Sequence, residues 1–418
     1  MKSFVVFVLK VSFFFVLTII LLKCCDSEKT NISFKAAAGS IEITPSENVI
    51  MGGYFGREGR SEGVHDNLYA RCLILESSDG KHVAFVSLDL IGFLRYDVLE
   101  IKKELGNNIE LCIFSTHQHS GPDTIGIWGT LSKSGRNENY MMGIRKKIVD
   151  LIKSTNEKLE TASIYVAQAS GNGLSVNHRV AGEIDETITA LLIKGENRNI
   201  ATLVNFGCHP ESLSGKNKLL TADFPGYLVK KLEKELGGTA LFANGLLGAM
   251  VSIDRKTLNL KEKNFEVAEK FGNEIAQRII ASLPSAKLIT GNLTVRKKVI
   301  SVPLENPLFQ TAIESKIIPA SEATSNKGCV LTEDGIISLG EMKIMLVPGE
   351  MTPGLGMKIK KLLNANYKIA FGLVNDEIGY IILSEDFSLP LYKNERIKSL
   401  GPFTGNIIYQ AFKELAAH

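Results

Sequence analysis

Histidine is scarce in this chain, with seven in 418 residues beside a single tryptophan and six cysteines. The few cysteines exclude a disulfide-stapled fold. Cys72, Cys112, Cys208 and Cys329 are widely spaced in apolar, strand-like contexts and no CxxC occurs, so buried thiols are expected. Charge of one sign is also missing. Lys and Arg number 48 against 45 Asp and Glu, a net +3 that gives no electrostatic footprint for nucleic acid. No GxSxG occurs, which removes the nucleophile elbow of serine hydrolases. No Pro- or Gly-rich linker divides the chain. With 44% hydrophobic and 22% charged residues, disorder is excluded and a large core is available.

The N-terminus departs from this average. Lys2 and Lys10 precede an apolar stretch from Val11 to Leu22 that ends at Lys23-Cys24-Cys25-Asp26. A basic start followed by such a run reads as an export signal over 1–25. Counted from Phe4, it is also long enough for a membrane anchor, and the Cys pair leaves lipidation open. An exported location (secreted, periplasmic or membrane-anchored) follows.

Beyond a polar spacer, strand and helix signals interleave. Arg71–Glu76 and His82–Leu88 form one hairpin-like unit, and Thr189–Lys194 with Ile200–Phe206 form a second on the same plan. Helical periodicity marks Asp97–Leu105, Met142–Glu160, Pro225–Leu236, Glu266–Leu283, Pro353–Ala365 and Gly405–Ala416. Ser321–Lys327 reads as a surface loop. The fold class is α/β, a single mixed α/β domain with layered sheets and flanking helices.

Two of the seven histidines fall in Ser115-Thr116-His117-Gln118-His119-Ser120-Gly121-Pro122, directly after the apolar run Leu111–Phe114. In an extended segment residues two apart point the same way, so both imidazoles can face one point. A metal or catalytic role and a chance pair are equally open on this motif alone. His209, in Phe206-Gly207-Cys208-His209, again follows a strand-like run, as does Glu350 in Val347-Pro348-Gly349-Glu350. Glu350 alone could equally be a charge at the start of the helix from Pro353. A further run, Ile369–Val374, leads to Asn375-Asp376-Glu377-Ile378-Gly379-Tyr380.

Together these segments resemble the neutral/alkaline non-lysosomal ceramidase family over roughly 38–412. Gly63-Val64-His65-Asp66-Asn67-Leu68-Tyr69-Ala70-Arg71 resembles its GIHxxLxAR, Ser115–Pro122 its THTHSGP, and Asn177-His178-Arg179 its NRS. Thr221–Gly226 parallels its SPDNKG, Pro348-Gly349-Glu350 its PGEF, and Gly401–Thr404 its GPHT. Tyr380-Ile381 and Tyr392 match its HYITTYEEY…Y region.

The resemblance implies a catalytic domain of neutral-ceramidase type over 36–418 and a Zn²⁺ held by His117, His209, Glu350 and Tyr380. It implies His119, Arg179 and Tyr392 beside the reacting centre, with Tyr380 serving there too. It also implies hydrolysis of an N-acyl amide such as ceramide by zinc-activated water. Asn244 and Ser252 match its substrate-contacting loop, where Ala249 replaces the family's acid. The C-terminal β-sandwich that follows in that family is expected to be missing. The expected partner is a lipid amide or other small molecule, with membrane association through the N-terminal segment. Hydrolysis of a different amide or ester by zinc, or a non-catalytic binding protein on the same scaffold, are the alternatives.

Overall fold

The order of elements repeats three times. Each unit has three antiparallel strands, a helix, a fourth strand parallel to the third, and a closing helix. The first unit runs through strands Phe34–Glu42, Tyr69–Glu76 and His82–Leu88, helix Arg95–Leu105, strand Glu110–Ser115 and helix Glu138–Asn156. The second runs through strands Glu160–Ser170, Thr187–Lys194 and Asn199–Phe206, helix Asp223–Leu236, strand Thr239–Asn244 and helix Phe265–Ser282. The third runs through strands Leu293–Pro303, Cys329–Leu339 and Met342–Leu346, helix Pro353–Leu362, strand Tyr367–Phe371 and helix Thr404–Ala416. Strand Phe34–Glu42 pairs with Glu160–Ser170, so the first two units share one sheet while the third has its own.

This computed structural model describes residues 34–130, 132–319 and 328–417. The segment 1–25 and the polar stretch Ser321–Lys327 lie outside the described residues. Among the described residues no helix is long and apolar enough to cross a membrane.

Each unit buries its own apolar cluster between sheet and helices. Val86 and Ile148 sit in the first, Val204 and Phe271 in the second, Ile336 and Phe412 in the third. Full burial of one such side chain contributes roughly 1.5–3 kcal/mol. The helices lie where periodicity placed them, with shifted ends. The second begins at Glu138 rather than Met142 because Asn137 Oδ1 accepts from the Asn139 and Tyr140 N–H groups and caps it four residues early. Cys72, Cys112 and Cys208 are buried free thiols, whereas Cys329 is only partly covered.

Buried polar side chains close the three units into a ring. Ser87 Oγ of the first donates to Phe242 O of the second (2.8 Å), and Asn205 Nδ2 of the second to Ala370 O of the third (2.8 Å). Asn375 of the third takes Ile113 N–H of the first (2.9 Å) and donates to Leu111 O (3.0 Å). These contacts bring the carboxyl ends of the parallel strand pairs together, the place where sheets of this kind carry ligands.

Candidate metal centre

All five residues expected to form the centre meet at this junction, each just beyond a third or fourth strand. His117 and His119 follow Glu110–Ser115. His209 follows Asn199–Phe206, Glu350 follows Met342–Leu346, and Tyr380 follows Tyr367–Phe371. Glu350 and Tyr380 are directly paired in a two-residue parallel ladder.

The local geometry corrects one expectation. The two histidines of HxH are not brought together by extended alternation, because His117 has φ +68° in the left-handed region. The chain turns there while Thr116 and His117 donate to Leu88 O and Leu90 O. Gln118 locks the turn, donating to Asp89 O (3.0 Å) and accepting from Ser120 N–H (2.6 Å). The kink still aims both rings at one point.

Backbone carbonyls set the tautomers. His117 Nδ1 lies 2.6 Å from Ile91 O and His209 Nδ1 lies 2.9 Å from Val251 O. A carbonyl only accepts, so each Nδ1 carries a proton and each Nε2 is the atom turned to the centre; burial would lower His209, but its bond to Glu350 raises it. Those Nε2 atoms are 3.6 Å and 2.9 Å from the two oxygens of Glu350, and Tyr380 Oη is 3.4 Å from His209 Nε2. Burial pushes His117 down to about 4, opposed by Glu350. Burial alone would raise Glu350, but His117, His209 and Tyr380 pull it down to about 2. Burial, reinforced by Glu350, drives the Tyr380 phenol far up.

His119 closes the cluster differently. Both its ring nitrogens are buried without a hydrogen-bond partner among the described residues. One ligand atom from each of His117, His119 and His209 fits within 4.8 Å of the others. Buried polar atoms without partners are rare and call for a ligand or an ion. Converging imidazole nitrogens beside an ionised carboxylate are the donor set that suits Zn²⁺. The residues present therefore fit a metal ion.

The other expected residues form a wall beside the centre. Tyr392 is buried with Tyr380 and Ala249. Arg179 Nε donates to Glu395 Oε1 at 2.7 Å, and Glu395 is itself 1% exposed. Ala249 and Met250 turn with φ +59° and +52°, and Met250 Sδ lies 3.4 Å from Tyr380 Oη. Thus Ala249 fills an apolar corner where an acid would face two tyrosine rings. Ser252 Oγ is 2.8 Å from His178 Nε2. Asn244 offers nothing to a ligand. Its Oδ1 accepts from Cys208 and Gly245 N–H, and its Nδ2 donates to Thr116 O and Cys208 O. It ties the residue before His117 to the residue before His209.

Sequence reasoning missed several residues here. Gly53 has φ +100° and a Cβ there would stand 2.5 Å from His119 Cβ. The Tyr54 ring meets His119 edge-on at 5.2 Å, and Arg57 Nη2 donates to His119 O at 2.8 Å. The cluster Gly52-Gly53-Tyr54-Phe55-Gly56 was the available signal. Glu377 is buried, with Oε2 unpartnered among the described residues, and burial beside Glu350 drives its pKa far up.

Residues 34–255, just over half the chain, match the family described as neutral/alkaline non-lysosomal ceramidase, N-terminal. The chain belongs to that family. The neutral ceramidase of Drosophila melanogaster is 24% identical over 246 residues, covering 53% of this chain and 35% of the fly protein. Neutral ceramidase 1 of Arabidopsis thaliana is 24% identical over 251 residues, covering 53% and 32%. The matched region spans about a third of the length of these curated relatives. In three dimensions the likeness reaches further. The crystal structure of neutral ceramidase from Pseudomonas aeruginosa superposes with a TM-score of 0.77 at 18% identity, over 92% of this chain and 74% of that one. A ceramidase complexed with C2 gives 0.79, also at 18% identity, over 92% and 75%. The α/β fold is thus the fold of neutral ceramidases. Glu350, Tyr380 and Tyr392 lie beyond residues 34–255.

Proposed function

We propose that residues 36–418 form a zinc-dependent hydrolase that cleaves an N-acyl amide bond of ceramide or a similar lipid amide. The observation that carries this reading is the convergence of His117, His209, Glu350 and Tyr380 with a His119 whose ring nitrogens are unpartnered. His117 Nε2, His209 Nε2, a Glu350 oxygen and Tyr380 Oη would hold the ion. Bound Zn²⁺ lowers the pKa of an adjacent water to about 7 and polarises a carbonyl oxygen.

The chain's own residues supply the rest. The unprotonated ring nitrogen of His119 accepts a proton from the attacking water and returns it to the departing amine nitrogen. Tyr380, paired with Glu350, lies where its side chain can stabilise the oxygen on which charge develops. Arg179, fixed by Glu395, and Tyr392 line the side from which the acyl amide approaches. Ser252, bonded to exposed His178, is the remaining polar contact for a headgroup. Asn244, by contrast, positions the two histidine loops.

Proximity of His119 to both other imidazoles also supports a three-histidine shell. In that case His119→Ala would lose metal, whereas under the preferred reading it keeps metal and loses turnover. Substrate class is tested by fatty-acid release from ceramides, N-acyl amino acids and the matching esters. Release from amides with little from esters fits the proposal; hydrolysis of esters alone would replace it. The basic, apolar start of the chain supports an exported location.

A further inference from the structure

On the segments that flank this centre, apolar side chains are turned to solvent. Phe55 is 59% exposed, Ile397 53%, and Leu389 and Leu391 39% each. They belong to one neighbourhood. Three sit in segment 388–398, which also carries buried Tyr392 and the Glu395 that holds Arg179. The Lys398 ammonium lies 5.6 Å from the Phe55 ring centre and 5.9 Å from that of Tyr380, so Phe55 and a residue of the centre share one lysine.

The turn holds these side chains outward. Tyr392 N–H donates to Leu389 O (3.1 Å), and Asn306 Nδ2 donates to Ile397 O (3.1 Å) and Ser399 O (2.7 Å). Charge on the segment is one-sided at the surface. Lys393, Arg396 and Lys398 are basic, while its one acid, Glu395, is buried against Arg179. Exposed apolar groups ringed by cations fit the headgroup–acyl boundary of an anionic bilayer.

We propose that Phe55, Leu389, Leu391 and Ile397, flanked by Lys393 and Arg396, dock the mouth of the site onto an anionic lipid bilayer. The apolar side chains enter the acyl boundary and the cations meet phosphate and carboxylate groups. A lipid amide would then pass from the bilayer to the centre without crossing water. This builds on the reading of the site as one for a lipid amide, but it is tested by binding alone.

The chain provides its own reporter, because its single tryptophan, Trp128, stacks on Phe55 (5.8 Å between centres, 27°). The zinc-loaded full chain is mixed with vesicles of phosphatidylcholine and phosphatidylserine carrying brominated acyl chains. Trp128 emission is expected to shift blue and be quenched. The Leu389→Ser, Leu391→Ser, Ile397→Ser variant should lose quenching with an unchanged unfolding midpoint. Lys393→Gln with Arg396→Gln, which also removes the bond from Arg396 Nη1 to Ser388 O (3.3 Å), should weaken binding on the order of tenfold. Absence of quenching at saturating lipid, or a triple variant quenched like the wild type, would overturn the docking surface. Equal quenching on pure phosphatidylcholine would overturn the anionic partner. A protein that docks yet releases no fatty acid would sink the hydrolase reading and leave this one standing.

Discussion

Replacing Asn244 with Ala distinguishes a residue that holds the centre from one that binds substrate. Its amide is fully buried and makes four hydrogen bonds, to Cys208 N–H, Gly245 N–H, Thr116 O and Cys208 O. Gly245 N–H also donates to Phe206 O, so it keeps a partner. The other three groups lose their sole hydrogen bond among the described residues. Each buried, unpaired backbone group costs about 1–3 kcal/mol, and water entering the small void recovers part of that. The sum is about 3–5 kcal/mol. Thr116 and Cys208 directly precede His117 and His209, so the loss also loosens both ligand loops. Chemical denaturation should show the stability decrease, and zinc titration should show weaker affinity on the order of tenfold to a hundredfold. The reasoning fails if Asn244→Ala leaves stability and zinc affinity unchanged and only raises KM, the signature of a substrate contact.

Three further outcomes follow from the same geometry. His117→Ala should lose bound zinc, whereas His119→Ala should keep about one zinc and lose turnover by about 10²–10⁴-fold; equal zinc loss in both would favour the three-histidine shell. Gly53→Ala should cut both stability and activity, because φ +100° strains any other residue and its Cβ collides with the side chain and Cα of His119; wild-type turnover would show that His119 need not stay put. Asp334 is wholly buried with both carboxylate oxygens unpartnered among the described residues, and burial drives its pKa far up. The native state therefore keeps a proton that the unfolded chain releases above its ordinary carboxylate pKa of about 3.9, so this group's contribution to stability falls as pH rises towards the raised value. Asp334→Asn should remove that dependence and gain most over wild type at high pH, read from urea unfolding between pH 5 and 8; a parallel pH profile would contradict it.

Much of the site was legible because its chemistry is concentrated in rare residues. Seven histidines leave few candidates, and three of them lie at strand ends that alternation and apolar runs reveal. The hairpins and most helix faces were legible for the same reason. The hairpin that opens the third unit was not. Its first strand, Leu293–Pro303, carries Arg296, Lys297 and Lys298 in succession and lies at a sheet edge, so it lacks the apolar signature of the corresponding strands. The left-handed His117 was also hidden, because nothing in Thr-His-Gln announces a kink that Leu88, Leu90 and Ile91 impose from the neighbouring strand's end. Asn244 stood as a substrate contact only through the resemblance of its loop to the family's. Only its four buried bonds decide, and they join residues 116, 208 and 245.

The most direct test of the central claim is fatty-acid release from ceramide by the same preparation in three states: as purified, stripped by a chelator, and restored with one equivalent of zinc. Zinc dependence predicts that stripped protein, still folded by circular dichroism, loses at least a hundredfold in turnover and recovers it on restoration. Undiminished hydrolysis by folded, metal-free protein would contradict it, as would a zinc-loaded protein that releases no fatty acid.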